Sequence, residues 1–226
     1  MATYNLTLII DSAILGFQSS DNLCIAKKVN GSFTTVFQDA SVKPKRADQT
    51  PLLTSNSFEW TDSYRVFCSA NYKHGMLVSA ATNIVEIGFG QQTTYKDSQF
   101  ADPKPAGHDQ FENSSGEQSY EDSFLANQIP NTLHAAVELK VKSKWVPVYV
   151  DPDNHASTMD KQLTPLNEYV IFWDNRVQTS SMIDISKFHF PFIFSFDKGS
   201  KNKTIRFGYA VPDKPSPQEA AKFYPA

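Results

Sequence analysis

The chain has 226 residues, of which 40% are hydrophobic and 13% aromatic, and its net charge is −3. That length builds one large domain or two small ones without covalent staples. The weak negative balance argues against a general nucleic-acid binder, which needs a basic surface to meet phosphates.

The first element is "YNLTLII", a strand over 4–10 that stops at Asp11. No basic segment precedes it, so it does not read as a signal peptide. No apolar run approaches the roughly 20 residues of a membrane-spanning helix. A cytoplasmic protein, or one exported by an unconventional route, is expected.

Two strand-like runs follow, 23–29 and 33–38, on either side of Asn30-Gly31. That dipeptide suits positive φ at both central positions of a tight hairpin. The run 58–67 alternates: Phe58, Trp60, Tyr64 and Val66 point one way, and Glu59, Thr61, Ser63 and Arg65 the other. Such a pattern belongs to a sheet with one wet face. Cys24 and Cys68 are the two cysteines. They are expected as free, buried thiols, because one pair does not make a disulfide scaffold. Shorter strands are expected at 76–80 and 84–89.

Residues 96–132 differ from the rest. They hold seven acids, including Asp97, Asp102 and Asp109, against Lys96 and Lys104. The segment reads as an acidic connection of loop character. Beyond it, strands are expected at 135–141, 145–150, 168–173, 181–185, 188–196 and 204–210. The tail carries Ser216-Pro217-Gln218-Glu219, the pattern of a capping box, which predicts a short helix over 217–223. Phe223 and Tyr224 are expected to dock it, since a helix this short does not hold alone.

The pieces recur. Val29, Phe33, Val36 and Phe37 of the first hairpin match Val141, Trp145, Val148 and Tyr149 of the second. Trp60, Asp62 and Arg65-Val66 are echoed by Trp173, Asp174 and Arg176-Val177. An internal duplication follows, and it places Trp60 and Trp173 in equivalent buried positions. The expected fold is all-β: two pseudo-repeated antiparallel β-sandwich halves with a short C-terminal helix. The boundaries are 1–95 for the first repeat, 96–132 for the acidic connection, 133–211 for the second repeat and 212–226 for the tail.

The order of "YNLTLIIDSA", "LCIAKK", "FEW", "GMLVSAAT" and "LTPLNEYVIFWDN" resembles the family typified by the rhizosphere-expressed RhiA protein of rhizobia, with bacterial and fungal relatives. The resemblance implies a two-part β protein. It carries over no activity and no functional residue.

Chemical signatures are sparse. There is no G-x-S-x-G elbow, no H-E-x-x-H and no C-x-x-C, so neither enzyme, metal nor cofactor is expected. Asp151, Asp153 and His155 follow a strand and are candidate ligand contacts, although Asp-Pro-Asp-Asn is equally what a turn uses. Trp145, near a hairpin turn, is a candidate stacking surface for a sugar. His108 and Asp109 in the acidic connection complete the candidate set.

Two functional expectations result. One is a non-catalytic protein that binds a small ligand or glycan, or self-associates into a homo-oligomer. The other is a membrane-active protein. "FHFPFIFSF" (188–196) and "TIRFGYAV" (204–211) alternate around a polar turn, as the hairpin of a β-pore does. Its membrane face would comprise Phe188, Phe190, Phe192, Phe194 and Phe196, with Ile205, Phe207 and Tyr209. Five bare phenylalanines would exceed the apolar patch a monomer usually exposes. The stripe is therefore expected to face the core of the second half, on an edge strand because of Pro191.

Overall fold

The computed structural model describes residues 2–16, 21–111, 121–153, 157–188, 191–215 and 219–225. Its strands are β1 (Thr3–Ile10), β2 (Asn22–Val29), β3 (Val36–Ser41), β4 (Thr50–Pro51), β5 (Ser55–Ser69) and β6 (Val85–Ile87). The middle of the chain supplies β7 (Gln91–Lys96), β8 (Gln99–Phe100), β9 (Lys104–Pro105) and β10 (Phe124–Ile129). After these come β11 (His134–Val141), β12 (Lys144–Val150), β13 (Met159–Leu163) and β14 (Pro165–Asp174). The last are β15 (Phe192–Phe194), β16 (Asn202–Gly208) and β17 (Lys222–Pro225). Among the described residues helix is confined to one turn, α1 (Ser12–Leu15), and two 3-10 turns at His108–Gln110 and Ile185–Lys187. The all-β expectation holds.

Three sheets form. One runs β12-β11-β5-β1-β16-β17, with β6 also paired to β5. A second runs β15-β14-β2-β3-β4, and a third β13-β10-β7-β8, with β9 on β7. The first two sheets stack through aromatic side chains. Trp60 of β5 lies 5.0 Å from Tyr169 of β14 and 5.3 Å from Phe37 of β3, between ring centroids. Alternation along β1 buries Tyr4, Leu6, Leu8 and Ile10 in the same core. Burial of each such aliphatic side chain contributes about 1.5–3 kcal/mol, so this seam is the main source of cohesion.

The two expected halves do not form sequential sandwiches. The first hairpin, β2-β3, pairs with β14, and the second, β11-β12, pairs with β5. Each repeat therefore lends its long strand to the other's hairpin. The two turns agree: Val29 bridges Ser32, and Val141 pairs with Lys144. If Val29 is matched to Val141, Lys27 falls on Leu139. Their cross-strand partners are Tyr169 and Tyr64. Tyr64 and Tyr169 are thus the equivalent residues. Trp60 and Trp173 are not: Trp60 is fully buried and pairs with Tyr4, while Trp173 is half-buried and pairs with Leu23. Matching tryptophans by type had shifted the register by several residues.

Further expectations need correction. Not every pairing is antiparallel: β1 runs parallel to β16, a pairing made possible by the long chain between them. The acidic connection is more than a linker, since β8, β9 and β10 lie within it and build the third sheet. Residues 76–80 and 181–185 are not strands but are held by single bridges, Leu77 to Ser181 and Thr35 to Met182. The C-terminal helix is absent over its last described residues, because Lys222–Pro225 pairs with β16 instead. Strand pairing satisfies the backbone and docks Phe223 on Phe207, 4.6 Å between centroids. Residues 216–218, which carried the capping pattern, lie outside the described residues.

The phenylalanine stripe is divided. Phe188 stacks on Phe172 at 4.1 Å in a separate cluster. Phe194 and Phe196 enter the main core, Phe192 is half-buried, and Phe190 lies outside the described residues. Among the described residues of the stripe only 192–194 are strand, at the edge of the second sheet as Pro191 requires. The proposed hairpin partner, with Ile205 and Phe207 buried and Tyr209 half-buried, sits in the first sheet. The chain from 196 to 202 crosses between sheets, so the two strands do not pair.

Both cysteines are free and buried, as expected. Burial pushes the Cys68 thiol up to about 12. None of the described helices is long and apolar enough to cross a membrane.

Candidate functional site

Core-facing positions in a sandwich are normally apolar. At one end of this one they are not. On β2 the inward series is Leu23, Ile25, Lys27 and Val29; on β5 it is Phe58, Trp60, Asp62 and Tyr64. A lysine from one sheet and a carboxylate from the other therefore meet in the core. Lys27 Nζ lies 3.7 Å from Asp62 Oδ1, with side-chain exposures of 2% and 19%. Lys27 also donates to the Tyr169 hydroxyl at 2.9 Å and stands 4.6 Å from that ring's centroid. Trp60 Nε1 donates to the same hydroxyl at 3.2 Å, and the Tyr64 hydroxyl donates to Asp62 Oδ1 at 2.7 Å.

The backbone is irregular beside this cluster. The β5–β11 register jumps between Tyr64–Leu139 and Thr61–Lys140, leaving Asp62 and Ser63 as a bulge. The β14–β2 register jumps between Pro165–Val29 and Tyr169–Lys27. Bulges re-aim side chains and end pairing. Here both repeats place one immediately before the equivalent tyrosine.

Above the cluster is a cavity of about 580 Å³, lined by Tyr4, Asp62, Ser63, Tyr64, Phe89 and Lys201, among others. Tyr4 continues the inward face of β1. Lys201, in the turn before β16, donates to the Tyr4 hydroxyl at 2.9 Å and lies 4.4 Å from its ring centroid. Phe89, from the turn between β6 and β7, is 5.5 Å from Tyr64 and 6.3 Å from Phe124. Phe196 packs edge-on to Tyr4 at 4.8 Å, so the end of the phenylalanine stripe forms the cavity's apolar support.

The electrostatics follow from burial. Desolvation lowers the pKa of Lys27, and the Asp62 charge opposes that shift. Desolvation, helped by the adjacent Asp62, raises Tyr64 well above the ordinary range, so its hydroxyl remains a donor. The Tyr4 hydroxyl raises the pKa of Lys201 by accepting its proton in a hydrogen bond. The cavity therefore offers three aromatic side chains, two carboxylates, hydroxyls and an ammonium in one concave space, which is the mixture small-ligand sites use.

The residues expected from sequence lie elsewhere. Trp145 is half-buried and one of its faces is covered by the Arg65 guanidinium, 4.1 Å from the ring centroid. Arg65 in turn pairs with Glu86 at 2.9 Å, on the rim of the cavity. Asp151 is buried in an ion pair with Lys161 at 2.6 Å, a structural role. It lies about 20 Å along the chain from Trp145, six strand residues away. Asp153 donates its backbone N–H to Asp151 at 3.3 Å, as in a turn, and His155 lies outside the described residues. His108 and Asp109 are exposed on a 3-10 turn. Through Gln110 that turn borders a second hollow of about 370 Å³ with Asp160, Lys161 and Gln162. Among the described residues no group of His, Cys, Asp and Glu is arranged to hold a metal.

Comparison of the chain with family models, with curated proteins and with solved structures finds no match in any of the three. A functional reading must therefore come from the site, because an all-β fold alone carries none.

Proposed function

We propose that the protein is a non-catalytic ligand-binding β-sandwich that takes a small polyhydroxylated ligand, of carbohydrate type, in the cavity above Lys27 and Asp62. The observation that supports this is the convergence of ionisable and hydroxyl groups at core-facing positions onto one open cavity. Charges at such positions cost stability unless paired. Asp62 lines the cavity, while Lys27 is sealed beneath it and pairs with it from within. Phe89, 39% exposed, offers an apolar face for the C–H side of a sugar ring, while Ser63, Gln91 and Lys201 are placed for its hydroxyls.

The test is a thermal-shift and titration screen against a saccharide panel with wild type, Phe89→Ala and Gln91→Ala. Binding by wild type that both variants weaken supports the reading. Binding that ignores both substitutions moves the site elsewhere, and no binding to any saccharide removes the carbohydrate class. The membrane reading requires β16 to leave both β1 and β17 before it can pair with residues 188–196. A liposome-leakage assay at neutral pH addresses it, and dye release by wild type would favour it over the cavity.

A further inference from the structure

The charges around the cavity do not cancel. Asp62 is occupied from within by Lys27 and by the Tyr64 hydroxyl. Glu86, the other acid on the cavity wall, is held by Arg65 at 2.9 Å. That leaves Lys201. Its ammonium has three donors, and one goes to the Tyr4 hydroxyl at 2.9 Å. Among the described residues it makes no ion pair with a carboxylate. Its own turn, "DKGSKNK" (197–203), carries Lys198, Lys201 and Lys203 against Asp197. Asp197 is engaged by Lys203 at 3.2 Å. The Lys201 side chain is exposed at the cavity mouth yet oriented by Tyr4, so a fixed cation faces the space with donors to spare.

We propose that the ligand is a sugar acid, its carboxylate bound by Lys201 and its ring seated against the exposed face of Phe89. This rests on the carbohydrate-binding reading above and narrows it to one class. A hexuronate has both parts: a ring with an apolar face, and one carboxylate at its edge. Charge-assisted hydrogen bonds are about twice as strong as neutral ones, so the acid should exceed its neutral parent sugar in affinity by about tenfold. Salt should erode that difference, because the pair forms at an exposed rim.

The experiment compares glucuronate and galacturonate with glucose and galactose by isothermal titration at low and high salt. The proteins are wild type, Lys201→Met, Lys201→Arg and, as a surface control, Lys198→Met. Preference for the uronates that is lost in Lys201→Met, kept in Lys201→Arg and untouched by Lys198→Met supports the inference. Because Lys201 is exposed, these variants are expected to fold, and circular dichroism checks that they do. If acid and neutral sugars bind equally, or Lys201→Met keeps the preference, the sugar-acid inference is overturned and the carbohydrate reading stands. If none of the four sugars binds, the sugar-acid inference is overturned, and the carbohydrate reading is decided by the wider saccharide panel.

Discussion

Replacing Asp62 by Asn tests whether Lys27 is held as a charge in the core. Asn keeps a carbonyl to accept from the Tyr64 hydroxyl, so the change removes charge and little else. Lys27, at 2% exposure, then retains only the Tyr169 hydroxyl, 2.9 Å away, as a directed acceptor. Removing one partner of a buried pair costs about 3–5 kcal/mol. Asp62 is 19% exposed, which places the expected loss near the low end, about 3 kcal/mol. In a Lys27→Met background no cation is stranded, and the same substitution should cost under about 1 kcal/mol. Lys27→Met alone should be close to neutral, since Asp62 keeps Tyr64 and some water. Urea unfolding of the four proteins at pH 7 gives the coupling directly. Equal cost of Asp62→Asn in both backgrounds would refute the reasoning, because it would mean that Lys27 carries no charge for Asp62 to hold. The pH dependence has a definite sign. Lys27 has a folded pKa below its unfolded value, so in the intervening alkaline window the unfolded chain binds more protons and stability rises with pH. Asp62→Asn removes the group that opposes this shift, so the rise should be steeper in that variant.

Phe194→Ala removes a ring that is 6% exposed and stacked at 5.4 Å on Tyr169; it should cost about 3–5 kcal/mol, measured as a lowered urea midpoint at unchanged slope. Cys24 and Cys68 should resist alkylation at pH 8 in the native protein, and both should react in denaturant without reductant; a mass two hydrogens low would instead show a bridge. Gly208→Ala would drive its Cβ into the Asp11 carboxylate, which accepts from Arg206 at 2.8 Å and from the Tyr209 and Asp213 backbone. That variant should lose stability and become more sensitive to protease at the C-terminal segment, and wild-type resistance would show that Asp11 has room to move.

The strands were legible where one face is wet. β1 and the first half of β5 alternate cleanly, and the limits of β1, β5, β11 and β14 fall within a few residues of expectation. The exchange of long strands between repeats was not legible, because Tyr64 and Tyr169 sit in local patterns that look the same whichever hairpin they join. The third sheet was missed because Gln91–Lys96 and Met159–Leu163 are polar strands only half-buried by the fold. "FHFPFIFSF" suggested one long strand, but Phe188 and Phe194 serve different clusters. The site was within reach of the sequence. Lys27 between Ile25 and Val29, and Asp62 between Trp60 and Tyr64, break the apolar register of strands that were otherwise read correctly. Looking for chemistry in loops at 108–109 and 151–155 directed attention away from those two positions. What the register alone withheld was that the two breaks face each other.

The most direct test of the central claim is nitrogen-15 chemical-shift mapping during titration with a pool of neutral and acidic mono- and disaccharides. The account predicts saturable shifts at Tyr4, Asp62, Ser63, Tyr64, Phe89 and Lys201, with the amides of Gln110, Asn127 and Lys161 unmoved. Shifts confined to the second hollow, or none at any residue, would contradict it.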